Sequence, residues 1–589
     1  MVRTINDETV IAAGPARAPG RNGRHRVPTA AGVTYLVLAV VLFSSAWRYP
    51  AWRNIGDSGD PLSVMWALRW TPYALSHGHN PFFTNHVNFP AGVNLMWNSP
   101  MVVFGVLLWP VTAWLGPTVA YNTLMTLNVA LSAWAGFFAI RMVVHDQRAA
   151  AVGGLLYGFS PYMIAHSSGH PNLTAAFMPP LLALLLADVL VHQRRPPRRA
   201  GVLLGLFAVT QLFIAEEMLA SEVLAGAVVL IVLCARNRSE VSRRAPHAVR
   251  AAAWALAVFA ALASGPLLFQ FLGPQGLHGD IQPSNFFVTD LANVVVPTAA
   301  MQFVTPRAIA ATHRWSANLA EWNGYLGLPL LVLLAYVGRR FRALPAVKVA
   351  ATAGLTLAIL SLGPNLHVNG VDTRLPLPWR AVSVLPAVGH MLPARLMLYV
   401  FGIAALLVSI FLDHALRRGA AGPAAAGLAL ALAPLVPAFP YRSEPVARTR
   451  FFTSAAASEI PEGSVALIAP YQTMLPVEPM LWQAEAGFRF RMPQGYVIVP
   501  GPGGRPRYGA PPSTISDTLL AIQNDAPFTA TPALRDRLLR DLADRQVDTV
   551  VVGPMRHQRA MLDLFGDLFQ RPPAHVEDVY LWRDLRSGA

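Results

Sequence analysis

The chain has 589 residues, of which 54% are hydrophobic and 13% charged, with a mean hydropathy of +0.41, a balance that excludes an ordinary water-soluble protein. Its formal charge of +15 does not point to nucleic acid: from Arg442 to the end sixteen Arg balance sixteen Asp plus Glu, so the excess lies upstream, in short stretches between apolar runs. The single cysteine, Cys234, excludes an internal disulfide and any cysteine-based metal cluster. Lys348 is the only lysine, and a chain otherwise rich in Arg, Ala, Gly and Pro points to a GC-rich bacterial genome.

Residues 1–28 are polar and basic and read as a disordered cytoplasmic tail. The run Val33 to Trp47 follows without a convincing cleavage site beyond Ser44-Ser45-Ala46, so a retained anchor is expected rather than a removed signal peptide. Apolar segments then fall at 31–48, 100–116, 119–143, 149–166, 173–191, 200–215, 219–235, 251–272, 322–338, 346–362, 394–412 and 420–438. A bilayer core roughly 30 Å thick takes about 20 such residues.

The basic stretches Arg17 to Arg26, Arg194 to Arg199, Arg236 to Arg250, Arg339 to Lys348 and Arg417-Arg418 orient the chain with these loops inside. A cytoplasmic N-terminus and an inner Arg417-Arg418 put everything after the last span outside, which requires an odd number of crossings. Twelve candidates are even. The short run 100–116, which contains Pro110, is therefore expected to be interfacial or re-entrant, leaving about eleven spans in a membrane domain over 29–439. The outer face then carries long loops at 49–99, 273–321 and 363–393 and a C-terminal extracytoplasmic domain over 440–589.

That outer domain reads as α/β. Ser464 to Ile468, Val547 to Val552 and Val579 to Trp582 suit strands, Ala533 to Asp544 has a helical period, and Pro500 to Pro512 reads as loop. No phosphate loop, nucleophile elbow or zinc spacing makes it a catalytic unit by itself. The aromatic and Gln-rich stretch Met480 to Ala484 with Phe488 to Tyr496 suits either a sugar-binding face or, the favoured reading, a core packed against the membrane portion.

The first outer loop is the most informative. Gly56-Asp57-Ser58-Gly59-Asp60-Pro61 leads into Leu62 to His77, whose Trp66, Trp70 and Tyr73 recur at helical spacing and are expected at headgroup depth. Two carboxylates three residues apart there suit a general base toward a hydroxyl, or a divalent cation, Mg or Mn, held against a phosphate. The bland alternative is that Asp60 caps the helix, with Pro61 at its first position, while Asp57 is solvated.

Further along, His166, His170 and Asn172 are candidates for contacts to a sugar or phosphate; Gly169 and Pro171 argue against a helical two-histidine metal site. Glu216, Glu217 and Glu222 fall where two apolar runs meet, and ionisable groups near hydrocarbon are costly. Glu217 and Glu222 are candidates to join Asp57 or Asp60 around a metal. Arg395, in Pro393-Ala394-Arg395, opens a span from the outer side and suits a phosphate clamp, its alternative being an arginine that snorkels to ordinary lipid phosphate.

The order of basic tail, anchor, loop with Asp57 and Asp60, Met65-Trp66-Ala67-Leu68-Arg69-Trp70, Asn80-Pro81 and Asn88-Phe89-Pro90-Ala91-Gly92-Val93-Asn94-Leu95 resembles the GT-C class of membrane glycosyltransferases. So do Gly158-Phe159-Ser160-Pro161-Tyr162 with His166, Gly169-His170-Pro171-Asn172, and the outer C-terminal domain. The resemblance implies transfer of a sugar, with inversion, from a polyprenyl-phosphate donor to an envelope glycan, lipid or protein on the outer face of a bacterial plasma membrane. It also implies an acidic base in the first outer loop, a position that both Asp57 and Asp60 match. Two other classes stand beside it: a transporter or flippase for a lipid-linked glycan, disfavoured because no internal repeat is evident, and a catalytically silent scaffold.

Overall fold

The computed structural model describes residues 23–385, 388–526 and 531–586. Most of the tail expected over 1–28 thus lies outside the described residues, and residues 23–28 open the first helix, Gly23–Leu42, instead of ending the tail. Each of the twelve apolar segments contains helix. Among the described residues six helices are long and apolar enough to cross a membrane: Pro117–Ile140, Pro171–His192, Pro197–Ile214, Glu216–Arg236, Arg238–Leu272 and Pro393–Arg417. Shorter apolar helices lie at Val27–Leu42, Pro345–Ser361 and Ala421–Leu435. The molecule is a mostly helical membrane protein.

Two boundaries differ from the sequence reading. The basic stretch Arg236 to Arg250, read as a loop, is largely the start of the 35-residue helix Arg238–Leu272, because nothing but Pro246 interrupts its helix-forming residues and the ring bends a helix without ending it. The run 100–116 breaks into Val102–Leu107 and Trp109–Leu115, each too short to cross, with Pro110 in the first turn of the second. Trp114 is 83% exposed there. Elsewhere the helices approach closely through small residues: a Cβ on Gly153 would lie 2.1 Å from Ser409 Oγ of the helix Met397–Arg417.

Beyond the last helix, a four-stranded sheet runs in the order Ala574–Val576, Val579–Trp582, Thr549–Val552, Ala466–Ala469. Thr549–Val552 is parallel to Ala466–Ala469 and antiparallel to Val579–Trp582. Alternation along these strands sends Leu467, Val550 and Val552 to one face, under the helices Thr514–Gln523, Pro532–Asp544 and Gln558–Phe569. Ile468, Val551 and Leu581 go to the other face, where Trp482, Phe488 and Phe490 join them to Trp66 and Trp70. The segment Pro500 to Pro512, read as loop, begins inside a short hairpin of Ile498–Pro500 with Pro506–Tyr508, because Gly503 and Gly504 take the left-handed turn between them.

The helix Asp60–Ser76 is therefore not a headgroup-facing surface helix. Its Trp66 and Trp70 stack at 5.5 Å, meet Phe488 edge-on and are buried, and the Trp66 indole donates to Gln483 Oε1 at 2.9 Å. Burying two indoles against a partner that satisfies an N–H outweighs leaving them at a wet interface. The Met480 to Tyr496 stretch is accordingly core, as the favoured reading had it.

Candidate active site

The loop that leads into the helix Asp60–Ser76 is held from three sides. Asn122, buried in the helix Pro117–Ile140, accepts from the Ile55 amide at 2.9 Å and donates to the Arg53 carbonyl at 2.8 Å, while Tyr121 donates to the Ile55 carbonyl. Residues Arg53–Ile55 form a strand that pairs antiparallel with Ser443–Pro445, from just after the last helix, and the Gly56 amide extends the ribbon to the Arg442 carbonyl at 3.1 Å. On the third side the Asp57 amide donates to the Ser168 carbonyl at 2.8 Å. Gly56 has φ +89°, and a Cβ there would lie 2.1 Å from that same carbonyl oxygen, so this approach requires glycine.

These constraints bring Asp57 and Asp60 to one cavity of about 240 Å³, whose wall also includes Ser168, His170 and Arg442 and, opposite, residues 318–320. The Arg442 guanidinium forms an ion pair with Asp57. Asp60 does not cap its helix: Gly59 holds the cap position, and the carboxylate turns to His170 Nε2, 3.1 Å from its Oδ2, and accepts from the Tyr496 hydroxyl at 2.8 Å through its Oδ1.

The two carboxyls consequently differ in proton affinity. Burial raises Asp57 above the ordinary carboxylate value; Arg442 opposes this and the charge of Asp60 adds to it. Burial also acts on Asp60, but hydrogen bonds from His170 and Tyr496 and the attraction of His170 and Arg395 overcome it and hold that carboxyl below its ordinary value. Asp60 stays ionised, and Asp57 is the readier proton acceptor.

A second charged cluster lies behind the cavity. Arg395 donates through Nε and Nη2 to Glu321, at 3.1 and 2.6 Å from Oε1, and pairs through Nη1 with Glu217. Glu217 also accepts from the Leu392 amide at 2.8 Å. Burial alone would raise Glu321, yet the Arg395 charge brings it down to about 2. The expected phosphate clamp is therefore not presented by this residue: its guanidinium is committed to two carboxylates and does not line the cavity.

Of the other expected residues, His170 lines the cavity, whereas His166 is fully buried behind it, edge-on to His170 and with Nε2 3.2 Å from Asn323 Nδ2. Asn172 is half-buried in the short helix Pro171–Thr174, away from the cavity wall. Glu216 accepts from Gln270 at 2.9 Å. Glu222 is buried along the helix Glu216–Arg236, and neither of its oxygens has a hydrogen-bond partner among the described residues. The expected gathering of Glu217 and Glu222 with the first-loop aspartates around Mg or Mn does not form, because Arg395 neutralises Glu217 and Glu222 lies further down its helix. Among the described residues no group of three or more His, Cys, Asp or Glu side chains is placed to hold a metal ion.

Sequence reasoning missed Arg442 and Tyr496. Arg442 reads in the sequence only as charge, although a cation two residues after Pro440, just past the last apolar run, is a signal of position. Tyr496 was absorbed into an aromatic stretch, and only the fold shows its hydroxyl reaching the first loop.

The chain has the GT-C fold of membrane glycosyltransferases. The chain is similar to the arabinofuranosyltransferase AftD from Mycobacteria, with a TM-score of 0.54 at 15% identity over 95% of this chain and 40% of that one. A structure of its R1389S mutant gives 0.50 at 15% identity over 90% and 37%. The archaeal oligosaccharyltransferase AglB from Archaeoglobus fulgidus, in complex with an inhibitory peptide and a dolichol-phosphate, gives 0.48 at 13% identity over 89% and 69%. The chain thus spans only 40% of the length of the arabinofuranosyltransferase. No curated protein matches it by sequence. It belongs to the DUF6311 family, a domain of unknown function, which matches residues 31–440.

Proposed function

We propose that this protein transfers a sugar from a polyprenyl-phosphate donor to a hydroxyl of a cell-envelope acceptor, on the outer face of a bacterial plasma membrane. In this reading about eleven segments cross, the N-terminus is cytoplasmic, and residues 440–589 form an extracytoplasmic α/β domain over the site. The observation that carries it is the cavity at which Asp57 and Asp60 meet with opposed shifts in proton affinity.

Asp57 takes the proton of the acceptor hydroxyl. The acceptor oxygen forms its bond to the anomeric carbon from the face opposite the leaving group; the bond from that carbon to the phosphate oxygen breaks, and its electron pair leaves with the polyprenyl phosphate. Configuration inverts. Asp60, kept ionised by His170 and Tyr496, stabilises the positive charge that develops on the sugar. No step is routed through a metal.

The test is transfer from a panel of radiolabelled polyprenyl-phosphate sugars to an envelope extract by the protein in lipid nanodiscs. Transfer that Asp57→Asn abolishes supports the reading. Absence of transfer from every donor, with labelled lipid crossing the bilayer of liposomes, would instead favour the transporter.

A further inference from the structure

The proposed reaction leaves one charged wall residue without a task. Arg442 faces the cavity, is held there by the ribbon between Arg53–Ile55 and Ser443–Pro445, and places its guanidinium on the carboxylate assigned as base. A base clamped by an arginine is a poor base. The buried Arg395 is enclosed by two carboxylates, but the Arg442 and Asp57 side chains are 39% and 48% exposed, and an ion pair so open to water is weak and readily exchanged.

We propose that the Asp57–Arg442 ion pair is a lock that the donor opens: a phosphate entering the cavity takes the Arg442 guanidinium from Asp57, and only then is Asp57 free to accept the acceptor's proton. The inference rests on the glycosyltransferase reading and adds an order to it, donor before acceptor. Three features argue for the exchange. Asp57 and Asp60 both repel an incoming phosphate, so the anion is tolerated only if Arg442 turns to it. A phosphate offers the planar guanidinium two parallel acceptors and more negative charge than one carboxylate. Arg442 also opposes the upward displacement of the Asp57 proton affinity, so its departure strengthens the base as the donor arrives. No bond is made or broken in this step; one ion pair replaces another.

The prediction concerns binding, and needs no sugar. The full chain in detergent is titrated with farnesyl phosphate, with farnesol and inorganic phosphate in parallel, for wild type, Asp57→Asn, Arg442→Gln and the double variant. Asp57→Asn should bind farnesyl phosphate about two- to fivefold more tightly, the factor of an ion pair of this exposure. Arg442→Gln should bind about tenfold more weakly, and adding Asp57→Asn to it should give a clearly smaller gain than the same change gives in wild type. Inorganic phosphate showing the same pattern would support the exchange and assign it to the phosphate group alone.

An Asp57→Asn gain that persists undiminished on Arg442→Gln would mean simple removal of a repulsive charge and overturn the lock, as would unchanged affinity in Arg442→Gln or no binding by any variant. If Arg442→Gln shows no cooperative unfolding, Arg442→Lys replaces it: the charge remains without the two-pronged geometry, so the gain must shrink, and an undiminished gain again overturns the proposal. Sugar transfer without coupling between the two residues would sink the lock and leave the transferase standing. Coupling without transfer from any donor would do the reverse.

Discussion

Two charged clusters lie one behind the other at the same end of the helix bundle, and they behave oppositely. At the cavity, Asp57 meets Arg442 and Asp60 meets His170 and the Tyr496 hydroxyl, all at partly open side chains. Behind it, Arg395 is wrapped by Glu217 and Glu321, the latter only 2% exposed. Both contain acids and an arginine, so composition does not distinguish them. What separates them is access: the open pair can trade partners with a ligand, and the closed triad fixes the position of residues 318–320 on the opposite wall through Glu321.

The largest test of this contrast is the proposed base. Asp57→Asn should lower transfer by about 10²- to 10⁴-fold, the usual worth of a general base, while leaving the melting temperature near that of wild type. A loss of stability comparable to the loss of rate would erase the distinction. Arg395→Met should do the opposite, destabilising by about 3–5 kcal/mol because the buried Glu321 and the half-buried Glu217 lose their cation. Denaturation in detergent reads this directly.

The same triad sets a pH limit. Glu321 lies at about 2 against an ordinary 4.5, a depressed value, so its contribution to stability is whole above pH 4.5 and fades as pH falls toward about 2. The stability difference between wild type and Glu321→Gln, followed by thermal melting, should be constant at neutral pH and shrink across that window.

Smaller effects sharpen the picture. Tyr496→Phe removes a hydrogen bond to the ionised form of Asp60, worth about 1 kcal/mol at a carboxylate 38% exposed. It should raise the Asp60 proton affinity and move the acid limb of the transfer profile to higher pH. Glu222→Met should be the mildest change, stabilising by roughly 0.5–1 kcal/mol since it removes a buried carboxyl whose oxygens have no partner. Loss of transfer in that variant would give Glu222 a role at odds with its distance from the cavity.

The helical plan was readable because membrane spans announce themselves by length and apolarity, and the strands Val547 to Val552 and Val579 to Trp582 because β-branched runs between turns have few other uses. That Asp57, Asp60 and His170 are worth bringing together was readable from polar groups beside apolar runs, and the structure does place the three at one cavity. Pairing was not. Whether Arg395 faces a ligand or two glutamates depends on how segments remote in sequence converge, and Glu217, Glu321 and Arg395 carry no shared local pattern. The Trp66 and Trp70 face misled for the same reason, since an aromatic stripe suits lipid headgroups and a protein partner equally well.

The ribbon of Arg53–Ile55 with Ser443–Pro445 joins parts of the chain almost 400 residues apart, and Tyr496 reaches back to Asp60 over a longer interval. During synthesis the first loop emerges long before its partners exist. Its aspartates therefore remain an unassembled half-site until the last helix has been inserted and the following segment made, so a chain interrupted anywhere before that point carries both acids and no cavity. The cavity is in this way completed late in chain order, by the stretch that leaves the ribosome after the membrane helices.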